Sequence, residues 1–297
     1  MAKKWNKYKG EQPPDYTPKG FDEYMGLGRR IELSDNCNKY AYITAVVCVI
    51  LSIIYKGLFQ NLAGADIAMS GLATGMAFVF SFMLAKELDP EPRRKWAGIL
   101  AGVFTAAAGT LLGEGNILVS FWMLFIVRLL NRTSGDRHRI IDNVILIGIA
   151  GYMGTQGYWL MPAATASLYV LESQITGGYF RSLYLAGIAC AGLIFANLSS
   201  SAAISMNNIY IMAMALILFL PELRLASLTK VNGDKNGKPI STKRLVAAQG
   251  FFVMTVVVLS VFHGDKMFLA MLPSLMAALA CGMYLFIYLT QHKPVKK

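Results

Sequence analysis

Uncharged apolar windows of 15 to 23 residues recur along this chain, and they restrict its fold more than any other feature. A bilayer with a hydrocarbon core about 30 Å thick is spanned by a helix of roughly 20 apolar residues, with ~17 as a practical lower end. Backbone amides in lipid find no water, so each crossing satisfies its own hydrogen bonds as a helix or joins a closed barrel. Barrel strands read as ~10-residue alternations of polar and apolar side chains. These windows do not alternate. The expected fold class is all-α, a polytopic integral membrane helical bundle. The charged fraction agrees, at 15% against about a quarter in a soluble domain.

Ten spans are expected, at 40–60, 66–85, 96–113, 116–131, 140–156, 157–172, 182–199, 202–220, 245–262 and 267–290. The fourth, as short as the sixth, carries Arg128 inside its apolar end. The sixth, "GYWLMPAATASLYVL", is short and contains Pro162. The rival arrangement has eight spans, with 157–172 as a re-entrant segment. Residues 1–39 form a polar, basic N-terminal segment, 40–290 the transmembrane domain and 291–297 a basic tail. The first apolar run starts near Tyr40, too late and too long for a cleavable signal peptide.

The net charge is +11, from 28 Lys and Arg against 17 Asp and Glu. Cytoplasmic loops of membrane proteins carry an excess of Lys and Arg. With the N-terminus inside and the spans alternating, 26 of the 28 cations fall on the cytoplasmic side. Lys56 and Lys266 are the exceptions. An even number of spans with both termini cytoplasmic follows, in the plasma (inner) membrane. No basic helix or aromatic platform for nucleic acid is visible, so nucleic acid is not an expected partner. Cys37, Cys48, Cys190 and Cys281 show no CxxC spacing. With three His in the chain, neither a metal centre nor any cofactor is expected.

Two cytoplasmic turns stand out. "KELDPEPRRKW" at 86–96 breaks a helix at Asp89-Pro90 and continues into Arg93, Arg94 and Lys95; "RLLNRTSGDRHRIID" at 128–142 has a similar order. Brought together, Asp89, Arg93, Arg128, Arg132 and Asp142 offer guanidinium forks to a phosphate or carboxylate. The plainer reading is stop-transfer charge with helix caps from Asn131, Ser134 or Asp136. Arg128 and Asp142 each lie a turn inside a span, where charge is expensive and usually paired, so an Arg128–Asp142 ion pair is expected. Asn207 and Asn208 early in span eight either line a polar path or bond a neighbouring helix. Glycines four apart (71 and 75, 98 and 102, 109 and 113) and "GIAGYMGTQG" suit close helix packing, within the chain or in an oligomer. The 228–244 loop has two Asn-Gly pairs, the signature of a small hairpin.

Ten spans in about 300 residues with both termini inside is similar in size and topology to the drug/metabolite transporter superfamily. The resemblance implies a small-solute transporter. It rests on no shared motif, and the 221–244 loop does not sit where a five-plus-five repeat would join. Two other functions are compatible: a non-catalytic membrane scaffold or accessory subunit, and a membrane enzyme acting on a lipid or lipid-phosphate at the cytoplasmic face. The expected partners are the bilayer and a small anionic solute or lipid phosphate.

Overall fold

Each expected span coincides largely with a helix, because most charges and breakers fall between the apolar windows. The structure is a computed structural model that describes residues 20–29, 34–59, 64–198 and 203–291. Among these residues the α-helices are α1 (Asn36–Phe59), α2 (Gly64–Leu88), α3 (Ala97–Leu112), α4 (Ile117–Asn131), α5 (Ile140–Thr155), α6 (Leu160–Gln174), α7 (Ser182–Ala191), α8 (Met206–Leu225), α9 (Thr242–Ala270) and α10 (Leu272–Gln291). Residues 1–19, 30–33, 60–63, 199–202 and 292–297, which touch the expected N-terminal segment, the end of the first span, the seventh and eighth spans and the tail, lie outside the described residues. Five helices are long and apolar enough to cross a membrane: α1, α2, α8 with the short turn that follows it, α9 and α10. The α3, α4, α5 and α7 helices are shorter apolar ones.

Local sequence explains the boundaries. The α2 helix stops at Leu88 because Pro90 and Pro92 cannot donate to a continuing ladder. Asn116 caps α4, its side chain accepting from the backbone N–H groups of Leu118 and Val119. Arg132 closes the other end of α4 in the left-handed region, at φ 52°. Within α9 the chain leaves helical geometry at Gly264 (φ 68°, ψ −155°), a conformation open to glycine. That break lies between the ninth and tenth expected spans.

Contacts at the helix ends show which way each helix runs. Glu87 at the end of α2 bonds Arg128 at the end of α4. Glu172 at the end of α6 bonds Ser182 at the start of α7 and Arg244 at the start of α9. Glu222 near the end of α8 bonds Arg94 before α3, and Asp35 before α1 bonds Lys95. At the opposite end Lys56 of α1 bonds Glu114 after α3, Asn197 bonds Gly154, and Ser205 bonds Asp265. Successive helices therefore alternate in direction, and the basic loops collect at one end, here termed the polar end.

The α4 helix runs through the middle, packed against α2, α5 and α9, and Trp122 through Asn131 are buried. Its central place explains its shortness and apolarity: it meets protein on most sides. Trp122 donates its indole N–H to Thr165 at 3.0 Å. The α1 helix is the reverse case, with Ile43, Val46, Ile50, Leu51 and Leu58 exposed. Contiguous apolar surface of this kind is rare on soluble monomers and suits lipid. The glycine pairs do admit close approach inside the chain. A Cβ on Gly102 would stand 2.6 Å from the Phe78 ring, and one on Gly71 would stand 2.4 Å from Ile53. Gly109, Gly148 and Gly151 face open space instead.

Candidate functional site

Among the described residues, six buried carboxylates lie at the polar end: Glu87, Glu172, Asp142, Asp89, Glu222 and Asp136. Glu87, fully buried in the last turn of α2, accepts from Arg128 Nε at 2.9 Å and from an Arg29 guanidinium N–H at 2.8 Å. The Thr133 hydroxyl donates to the same carboxylate, and the Asn131 amide donates to the Glu87 backbone carbonyl at 3.0 Å. Glu172, fully buried at the end of α6, accepts from Arg132, from Arg244 at 3.1 Å, from the Ser182 hydroxyl at 2.8 Å and from the Tyr179 amide at 3.1 Å. Arg244 spends its remaining donors on the Thr176 and Leu130 carbonyls. His138, beside Glu172 at 4.0 Å, is held neutral because burial pushes its imidazole down to about 4.

Asp142 binds backbone. It accepts from Arg139 N at 2.8 Å, which caps α5, and from Gly26 N at 2.7 Å and Leu27 N at 3.2 Å. These bonds seat Gly26 and Leu27 in the polar end, with Leu27 fully buried. Gly26 has to be glycine, because a Cβ there would stand 1.6 Å from the Arg137 carbonyl oxygen. The fourth carboxylate, Asp89, pairs with Arg94 at 2.8 Å, and Arg94 reaches Glu222 at 3.2 Å.

The 228–244 loop folds back over the 131–137 turn. Asn232 and Pro239 form an antiparallel bridge, giving the small hairpin that the Asn-Gly pairs predict. Asp234 N and Lys235 N donate to the Thr133 and Ser134 carbonyls at 3.2 and 3.0 Å. Between hairpin and turn lies a cleft of about 250 Å³. Arg132, Arg137, Lys238 and Arg244 line it, together with Asn131, Asn236 and Ser241, and Asp136 is the one acid in its lining. Arg132 Nε is buried and has no hydrogen-bond partner among the described residues. Burial and the charge of Arg132 press the Arg137 guanidinium below its ordinary value. Such a cleft suits the planar forks that arginine offers to phosphate and carboxylate.

The structure redistributes the expected site. Arg128 and Asp142 do not pair: Arg128 turns to Glu87 and Asp142 to three backbone amides. Side chains a turn inside adjacent antiparallel helices point where packing sends them, and α2 lies closer to Arg128. The two conspicuous turns do meet, through Glu87 rather than Asp89. Arg132 lines the cleft; Asp89 is buried on Arg94; Arg93 is exposed and engages Tyr288. Asn207 and Asn208 belong to the opposite end, where Asn207 is exposed and Asn208 donates to Asp265 at 2.8 Å. Nor is Asn131 a cap for α5: Arg139 holds that position. Sequence reasoning missed Glu87, Arg29, Arg244 and Glu222. The available signal was that Glu87 precedes Asp89-Pro90 and so remains inside the helix, where a charge needs a partner.

Comparison with known protein families, curated proteins and solved structures returns no match.

Proposed function

We propose that the protein crosses the bilayer ten times, with its polar end on the cytoplasmic face of the plasma (inner) membrane, and that it transports a small anionic solute which enters through the basic cleft. The observation that carries the reading is the lining of that cleft: four cations against one acid, with a buried guanidinium nitrogen that lacks an acceptor. A phosphate or carboxylate supplies that acceptor. Alternating helix directions and the accumulation of Lys and Arg at one end support the orientation, because cytoplasmic loops are the basic ones.

The filled middle of the bundle favours a second reading. Trp122, Phe125, Phe252 and Phe268 are all buried there, which suits a scaffold that holds an anion at the membrane face without moving it.

Inorganic phosphate, pyrophosphate and a short-chain phosphatidic acid, each added to the detergent-solubilised protein at constant ionic strength, test the site. At least one should raise the melting midpoint of wild type and not of Arg137→Gln. Stabilisation by the soluble anions points to a solute, and stabilisation by the lipid alone points to a headgroup. No difference between wild type and Arg137→Gln refutes the site. Uptake of labelled phosphate or pyrophosphate into proteoliposomes then separates transporter from scaffold.

A further inference from the structure

Away from the cleft, the Asp89–Arg94–Glu222 cluster has an imbalance that the anion site does not use. It joins the α2–α3 turn to α8. The Asp89 side chain is 2% exposed, that of Glu222 is 1% and that of Arg94 is 7%. Two carboxylates thus share one guanidinium out of reach of water. Arg94 donates to Asp89 at 2.8 Å and to Glu222 at 3.2 Å, and the two carboxyl groups lie within hydrogen-bonding reach of each other.

Among the described residues no second cation pairs with either carboxyl group. Glu91 on the same turn is acidic, α10 presents the fully buried thiol of Cys281, and α9 presents the uncharged Gln249, bonded to the Leu88 carbonyl at 2.7 Å. Asp89 Oδ2 is buried without a donor among the described residues. Two ionised carboxylates have no hydrogen to place between them, and one unpaired negative charge in this setting is costly.

We infer that Asp89 and Glu222 form a proton-binding site: one proton lies between the two carboxyl groups, and Arg94 neutralises the single remaining negative charge. Carboxyl pairs held this close ionise in two separate steps, the second at a higher pH than an ordinary carboxylate. Burial pushes the Asp89 carboxyl up in keeping with this. Release of the proton leaves two negative charges facing each other across the contact between α8 and the α2–α3 turn. The contact then loosens, so the site ties helix packing at the polar end to proton occupancy. This inference is independent of the anion cleft.

Infrared spectroscopy of the full-length protein in detergent tests it. At neutral pH wild type should show a protonated-carboxyl carbonyl band. That band should be lost in both Glu222→Gln and Asp89→Asn, because the remaining carboxylate in each variant pairs with Arg94 and ionises. Glu222→Gln copies the protonated state and should keep a wild-type melting midpoint. The wild-type midpoint should fall as pH rises from about 6.5 to 9, above the window in which the unfolded chain's His138 titrates, since the folded pair keeps a proton that the unfolded chain releases, and Glu222→Gln should flatten that slope. Absence of the band from wild type, or its survival in both variants, overturns the assignment. So does a pH-independent wild-type midpoint that added sodium raises, which would place a metal cation there instead.

Discussion

Replacing Glu87 by Gln should be among the most damaging single changes at the polar end. Its carboxylate is fully buried and receives Arg128 at 2.9 Å and Arg29 at 2.8 Å. Arg29 retains Asp234 when Glu87 is neutral. Arg128, whose side chain is 10% exposed, has no other ion-pair partner among the described residues and is stranded. Breaking a buried pair by removing one charge costs roughly 3–5 kcal/mol, because the survivor keeps its desolvation penalty. Arg128→Met should cost less, about 1.5–3 kcal/mol, since Glu87 still holds Arg29 and Thr133. The double variant should recover part of the sum, with a coupling of about 1–3 kcal/mol. Arg128→Met and Asp142→Asn share no partner, so their effects should add to within about 0.5 kcal/mol. Melting midpoints in detergent read these differences, and the Glu87→Gln loss corresponds to a fall on the order of 10 °C. Additivity between positions 87 and 128, or coupling between 128 and 142, would refute the assignment of partners.

Two further outcomes follow from the same end of the bundle. His138 is held near 4 in the folded protein against 6.5 in the free side chain. As pH falls through that window the unfolded chain takes up the proton first, and on the order of 3 kcal/mol of stability is lost between 6.5 and 4. Melting midpoints measured down to pH 5 should fall in wild type and fall less in His138→Gln; equal slopes would contradict the burial of a neutral ring. Asp142→Asn should weaken the anchorage of residues 20–29 by about 1.5–3 kcal/mol, roughly 10- to 100-fold more opening. Trypsin cleavage at Arg29 should accelerate accordingly, and an unchanged rate would show that Asp142 does not hold the segment.

The helices were legible in the sequence because every turn at the polar end is marked by charge or proline, as at Lys86–Lys95 and Arg128–Arg139. Hydrophobic windows locate such elements without knowledge of their neighbours. Partners across the bundle are a different matter. Arg128 and Asp142 are close along the chain, and proximity in sequence suggested a pair. The partner chosen, Glu87, is 41 residues away, on a helix whose end lies beside that of α4. The shortness of α4 and the apolar character of all its faces before Arg128 reflect burial among other helices, which periodicity does not reveal. The cleft was half visible: Arg132 came from the conspicuous turn, whereas Lys238 and Arg244 arrive only when the 228–244 hairpin folds back.

The central claim, one cytoplasmic polar end joined by ten alternating crossings, is tested most directly by thiol accessibility in intact cells. Single cysteines are placed at Lys266 and Gln156, exposed at the opposite end, and at Asp234 and Arg93, exposed at the polar end, in a background where the four native cysteines are replaced. A membrane-impermeant maleimide should label positions 266 and 156 from outside, and positions 234 and 93 only after the membrane is permeabilised. Labelling of position 234 or 93 in intact cells, or of only one of 266 and 156, would contradict the account.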